Sequence, residues 1–143
     1  MLLNMRLAYA ADDIGPKAAQ LIVGLILLLL MDAMWFTVAK PVYAHVLENR
    51  QNLVDLRYGL LAWCALALGI SSIDRHQPWD TIAASGALIG FVSYATFNGT
   101  EAALREDWRS PRLILADMSW GTVTCSLCAT LSALTIKGLE HMK

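Results

Sequence analysis

Two acidic residues, Asp32 and Asp117, lie inside long apolar stretches of the kind that cross membranes. An ionisable group at that depth costs roughly 2.5–3.5 kcal/mol on insertion scales, so it is by default a candidate functional residue. A buried carboxylate can accept hydrogen bonds that fix the register of neighbouring helices, it can exchange a proton or bind a solute, or it can bind a partner chain. The sequence leaves these three roles open.

The two acids share a local pattern, because each is followed three residues later by a tryptophan, Trp35 and Trp120. A spacing of three places carboxylate and indole on one face of a helix. Each acid lies five to eight residues from the polar end of its stretch. Since a helix rises 1.5 Å per residue, both carboxylates are predicted roughly 7–12 Å below the same membrane surface.

A third apolar stretch brings further polar side chains to this level. Tyr94, Asn98 and Glu101 are spaced four and three residues apart, and Arg57 and Tyr58 begin the second stretch at the same end. We therefore predict one shared polar site that opens toward this surface. Its candidate members are Asp32, Trp35, Tyr94, Asn98, Glu101, Asp117 and Trp120.

The remaining reactive residue types give no pattern typical of an enzyme or a metal site. All three cysteines lie inside apolar stretches, and the C-x-x-C spacing of Cys125 and Cys128 falls in mid-stretch without a nearby histidine. Redox or metal chemistry is therefore not indicated. We predict no catalytic residue, no cofactor, no cofactor-binding residue and no metal ligand, although two carboxylates alone can perform acid–base chemistry.

Four apolar stretches must position the candidate site. The chain of 143 residues is 57% hydrophobic and 16% charged, and its charges gather between the stretches. About 20 apolar residues span the ~30 Å of a bilayer's hydrocarbon. The sequence predicts an all-α integral membrane domain at 18–136, four transmembrane helices in an up-down bundle, between a polar N-terminal segment at 1–17 and a tail at 137–143. The spans are predicted at about 18–39, 56–73, 81–100 and 113–136.

Four spans would place both termini on one side of the membrane, side A, and the loops 40–55 and 101–112 on the other, side B. Side B holds six basic residues and side A five, a small excess that favours side B as the cytoplasmic or equivalent face. Trp79 and Trp108 lie at span ends, as in an aromatic belt. The membrane is a bacterial inner membrane or an organelle membrane, and the net charge of -1 predicts no nucleic-acid partner.

Gly86 and Gly90 form a GxxxG spacing in the third stretch, which allows two helices to approach closely. Packing within the bundle is the favoured interpretation, and contact with another membrane chain is the alternative. Under that alternative, the outer faces of the first and third helices, including this glycine ridge, contact other chains.

Several segments resemble a family of small predicted membrane proteins known as domain of unknown function 2177. The resemblance is carried by segment 94–101 (YATFNGTE), by Trp108 and by segment 117–122 (DMSWGT). Segments 32–35 and 40–43 fit the same family pattern, and the similarity extends from about residue 21 onward. The resemblance implies a four-helix membrane fold and no biochemistry.

The resemblance also implies one departure from the family pattern. The family has Tyr-Asp at the positions of Phe97 and Asn98, and Asn near Glu101. In this chain position 98 is therefore an amide, and an acid stands about one helical turn nearer side B. If the family's activity needs a carboxylate at this level, this chain has lost or shifted it.

Three functions remain open. The favoured one is a non-enzymatic accessory or structural subunit that packs against other membrane chains or copies of itself, because so small a bundle encloses little volume. The first alternative is a proton- or cation-coupled transporter or channel that uses the carboxylates, and the second is a lipid-modifying membrane enzyme. If the carboxylates only fix helices, Asn at Asp32 or Asp117 is expected to leave the fold unchanged, because an amide still accepts a hydrogen bond.

Overall fold

The structure, a computed structural model, describes the backbone of residues 2–47 and 56–142 and the side chains of residues 14–44, 46 and 57–142. Half of the predicted loop at 40–55, residues 48–55, lies outside the described residues, whereas the other half, predicted as loop, is helical at 40–47. The described part contains helices and no strand. The helices are α1 (Leu2–Val38), α2 (Lys40–Leu47), α3 (Leu56–Ser71), α4 (Trp79–Leu104) and α5 (Pro111–His141), with a short 3-10 helix at Glu106–Trp108.

Proline and serine mark where the helices begin. Pro78 immediately precedes α4, and Pro111 opens α5, where its missing N–H is not needed. Ser110 caps α5, because its hydroxyl accepts a hydrogen bond from the backbone N–H of Leu113 at 3.4 Å. The polar N-terminal segment is helical as well, since α1 begins at Leu2 and continues through Pro16.

Among the residues that the structure describes, two helical segments are long and apolar enough to cross a bilayer. They are Ile14–Val38, with 25 residues and a mean hydropathy of 2.4, and Pro111–His141, with 31 residues and a mean hydropathy of 1.3. The third apolar helix, α3, has 16 residues and is shorter than the length of about 20 residues that a span needs. With 26 residues α4 is long enough, but it is not among the segments that qualify as spans by apolar length.

Helix α5 lies at the centre of the fold and contacts α1, α3 and α4. Asp32 of α1 bonds to Trp120 of α5, whereas Gly24, two turns earlier, lies close to Ser132, so these two helices run antiparallel. The same reversal of register relates α1 to α3. The core between α1, α3, α4 and α5 consists of eight buried residues, Leu28, Ala67, Ile70, Ile82, Cys125, Cys128, Ala129 and Ala133.

The closest helix contact joins α4 to α5 through glycines. A Cβ added at Gly90 would stand 2.2 Å from the carbonyl oxygen of Gly121, and one at Gly86 would stand 2.6 Å from that of Cys125. Both glycines of the GxxxG spacing are buried inside this chain. The glycine ridge therefore packs within the bundle and leaves no room for a second chain. The alternative interpretation, contact with another membrane chain, would need the ridge on the outer surface.

We expect Gly90→Ala to destabilise the fold, because the new methyl group must push α5 away from α4. Overpacking of this kind costs roughly 1–3 kcal/mol. Gly99→Ala is the matched control on the same helix, since a Cβ at Gly99 meets no atom within 4 Å. Unfolding in detergent, monitored by far-UV circular dichroism, should show a lower stability than the parent for Gly90→Ala and no loss of stability for Gly99→Ala. Equal stability of the two variants would contradict the close contact.

The outer faces of all four long helices are apolar. Representative exposed side chains are Leu30, Leu61, Leu88 and Leu115. In water such faces would form far larger apolar patches than a soluble monomer carries. In hydrocarbon they need no cover, which agrees with a location in a bilayer.

Candidate functional site

Asp32 is held by two indole groups from other helices. Its Oδ1 accepts a hydrogen bond from Nε1 of Trp120 at 3.1 Å, and its Oδ2 accepts one from Nε1 of Trp63. The residue is only 7% exposed. This single carboxylate therefore ties α1 to both α3 and α5.

Asp117 is held by a phenol and an amide. Its Oδ1 accepts a hydrogen bond from the hydroxyl of Tyr43, and its Oδ2 accepts one from Nδ2 of Asn98 at 2.7 Å. The residue is 6% exposed. The second carboxylate therefore ties α5 to both α2 and α4.

Asn98 extends this arrangement to the 3-10 helix. It is fully buried, and its Nδ2 also donates to the backbone carbonyl of Tyr94 at 2.9 Å. Its Oδ1 accepts a hydrogen bond from Nε1 of Trp108 at 3.0 Å. One of these hydrogen bonds lies within α4, and the other two tie α4 to α5 and to the 3-10 helix.

Trp35 joins the two carboxylates into one cluster. Its Nε1 donates to the hydroxyl oxygen of Tyr43 at 3.1 Å. Its ring stacks on that of Trp120, with ring centroids 4.7 Å apart and an angle of 9° between the planes. We call this cluster the carboxylate–indole network, and we call its end of the bundle the carboxylate end. The network consists of Asp32, Trp35, Tyr43, Trp63, Asn98, Trp108, Asp117 and Trp120.

Five of the seven predicted site residues enter the network with their side chains: Asp32, Trp35, Asn98, Asp117 and Trp120. Tyr94 contributes its carbonyl and packs its ring against Gly121. Glu101 stands outside, because its carboxylate pairs with Arg105 at 2.8 Å near the surface. Arg57 and Tyr58 of the second stretch are exposed and are not members of the network, whereas Trp63 of the same stretch is a member.

Three members of the network were not predicted as site residues. Trp108 was predicted in an aromatic belt, and this assignment is wrong, because the ring is buried and bonds to Asn98. Tyr43 lies in a segment that carries the family resemblance, which was the available signal for it. No pattern in the second stretch marks Trp63 as the donor to Asp32.

The four described hydrogen-bond donors to the two carboxylates are electrically neutral. Among the described side chains, no lysine, arginine or histidine pairs with Asp32 or Asp117. The four hydrogen bonds to charged acceptors contribute roughly 1.5–3 kcal/mol each. That is enough to offset the roughly 2.5–3.5 kcal/mol that each buried carboxylate costs. The network can therefore hold both acids without a counter-ion.

The arrangement offers little to a metal ion. Within the described residues, no group of three or more histidine, cysteine, aspartate or glutamate side chains is placed to bind one. The oxygens of both carboxylates already accept hydrogen bonds from indole, phenol and amide groups.

A family model for predicted membrane proteins, DUF2177, matches residues 18–134. The chain belongs to this family. The match contains all four long helices in whole or in large part, together with every member of the carboxylate–indole network. No curated protein and no solved structure matches the chain. It is therefore a membrane protein whose family carries no assigned biochemistry.

The amide at position 98 has a definite place in the network. Asn98 donates to Asp117, which an ionised aspartate at this position could not do. Glu101 pairs with Arg105 outside the network. Position 98 therefore supplies a hydrogen-bond donor to a buried carboxylate.

Proposed function

We propose that the chain is a four-span, up-down membrane bundle with both termini on one side, which acts as a non-enzymatic accessory or structural subunit. Antiparallel packing of α5 against α1 and α4 supports this arrangement. The exposed apolar faces would contact lipid and other membrane chains or further copies of the same chain. In this proposal the carboxylate–indole network has a structural role, because its hydrogen bonds fix the helices against each other at one end of the bundle.

The observation that carries the proposal is the direction of the hydrogen bonds around Asp32. Both partners are indole N–H groups, which can donate but cannot accept. An indole cannot pass a proton onward at ordinary pH, so Trp63 and Trp120 end the hydrogen-bond chain. A site built for proton transfer would need hydroxyl, carboxyl, imidazole or water groups here. The geometry instead matches a permanent structural contact.

One observation favours a second candidate, a proton- or cation-coupled transporter. Two carboxylates are buried at one end of the bundle with no basic side chain among their described partners. Uncompensated acids at membrane depth are typical of ion pathways. Asp117 is the better proton acceptor in this alternative, because the hydroxyl of Tyr43 can both donate and accept. No contact in the described residues favours the third candidate, a lipid-modifying enzyme.

Purification in a mild detergent, followed by native mass spectrometry, tests the subunit proposal. We expect the chain to be recovered with other membrane proteins or as a homo-oligomer, with an interface on the order of 1,000 Å² or more. Recovery as a stable monomer from its native membrane would contradict the subunit proposal.

Reconstitution into vesicles tests the transport candidate. We expect no proton or cation flux above that of empty vesicles, because the network lacks a route onward from Asp32. Flux that is lost in Asp117→Leu but kept in Glu106→Gln, an exposed acid outside the network, would overturn our choice. The fold of each variant must be checked by circular dichroism in the same vesicles.

A further inference from the structure

A groove of about 220 Å³ lies at the carboxylate end, between the first turns of α2 and α5. It is lined by Pro41, Val42, Ser110, Arg112 and Leu113. The groove lies outside the carboxylate–indole network, since none of its lining residues is a member of that network. It is therefore a separate feature of this end of the molecule.

The floor and the rim of the groove differ in chemistry. Val42 and Leu113 pack in an apolar cluster with Tyr43 and Trp108, so the floor is hydrophobic. At the rim, the guanidinium of Arg112 is exposed and has no hydrogen bond or ion pair with any described residue. The groove thus combines an apolar surface with an unpaired cation.

Neighbouring charges add to the positive character of the groove. Lys40, next to the lining residue Pro41, is also exposed and makes no ion pair with a described side chain. The described acids of segment 101–107 are already placed beside arginines: Glu101 and Asp107 pair with Arg105, and Glu106 lies 3.8 Å from Arg109. These acids therefore do little to neutralise the rim.

We infer that this groove binds the phosphate of an anionic phospholipid. Arg112 precedes Asp117 by five residues, which places it roughly 7.5 Å nearer the membrane surface at 1.5 Å per residue. At the end of an apolar helix this is the level of lipid headgroups. Basic pockets between membrane helices bind anionic headgroups, and arginine matches phosphate with two parallel hydrogen bonds. The apolar floor would receive the start of an acyl chain, which a free phosphate does not have.

The inference rests on the proposed placement of α5 across the bilayer but not on the subunit role. The test uses the whole chain in detergent, with defined additions of phosphatidylglycerol or phosphatidylcholine, and native mass spectrometry counts the lipids retained. We expect the chain to retain one phosphatidylglycerol in preference to phosphatidylcholine. Arg112→Gln should weaken that retention by about five- to tenfold, the effect of one basic residue near a lipid surface.

Arg109→Gln is the matched control, because it removes the same charge at the same end but from outside the groove lining. Equal losses in the two variants, or no loss in Arg112→Gln, would overturn the inference. Inorganic phosphate at millimolar concentration should not displace the lipid, and displacement would assign the site to free phosphate instead. Both variants must keep the parent's melting temperature in phosphatidylcholine. If Arg112→Gln lowers that melting temperature, Lys40→Gln provides a second, independent variant. Failure of the chain to enter lipid at all would contradict the membrane placement, whereas a monomer that retains the lipid would contradict the subunit role alone.

Discussion

Asp32→Asn is expected to lower the free energy of unfolding by about 2–3 kcal/mol, whereas Asp117→Asn should cost only about 1 kcal/mol. The two substitutions are identical, so the difference comes from the partners. Around Asp32, one indole N–H would still meet the amide oxygen, but the other would face the new NH₂ group. Two donors cannot satisfy each other, and one buried hydrogen bond is lost outright.

Asp117→Asn differs because one partner is a hydroxyl. The amide oxygen can accept from Asn98, and the amide NH₂ can donate to the second lone pair of the Tyr43 hydroxyl, which already accepts from Trp35; only the phenol O–H then loses its acceptor. Unfolding in detergent, monitored by circular dichroism and tryptophan fluorescence, measures both effects. Equal costs at the two positions would show that the direction of the hydrogen bonds around Asp32 is not as described.

This expectation revises the one drawn from sequence alone, in which Asn was neutral at both positions. The sequence contains the spacing that puts Asp32 and Trp35 on one helix face, and the distances from the span ends that predict a common depth for Asp32 and Asp117. It does not contain the identity of the donors on other helices. Trp63 was invisible because no pattern in its own stretch marks it, and its role follows only from the way α3 packs against α1.

The third apolar stretch illustrates the same limit. Helical spacing placed Tyr94, Asn98 and Glu101 on one face, but a face about 100° wide can point both inward and toward a loop. Asn98 points inward, while Glu101 lies one turn nearer the surface, where Arg105 competes for it. The ion pair with Arg105, four residues later, keeps Glu101 outside the network. Helical periodicity cannot predict which partner a side chain binds. Trp108 was misassigned for the converse reason, since the 3-10 helix turns it back over the bundle.

Asn98→Leu is expected to destabilise the fold by about 3–4 kcal/mol. Leucine has the same branching as asparagine but bulkier methyl groups, and it can neither donate nor accept a hydrogen bond. The substitution would leave an oxygen of Asp117 and the indole N–H of Trp108 without a partner. Each such buried group costs roughly 1–3 kcal/mol, and more when it is charged.

Trp108→Phe provides the comparison that separates the two losses. It removes the indole N–H and leaves the bond between Asn98 and Asp117 in place, so it should cost less than Asn98→Leu by the value of the charged contact. The double variant should then cost little more than Asn98→Leu alone, because residues that share a partner are not additive. A double variant whose cost equals the sum of the two single costs would mean that Asn98 and Trp108 act independently. In that case the hydrogen bond between them would not be part of what holds α4 and the 3-10 helix together.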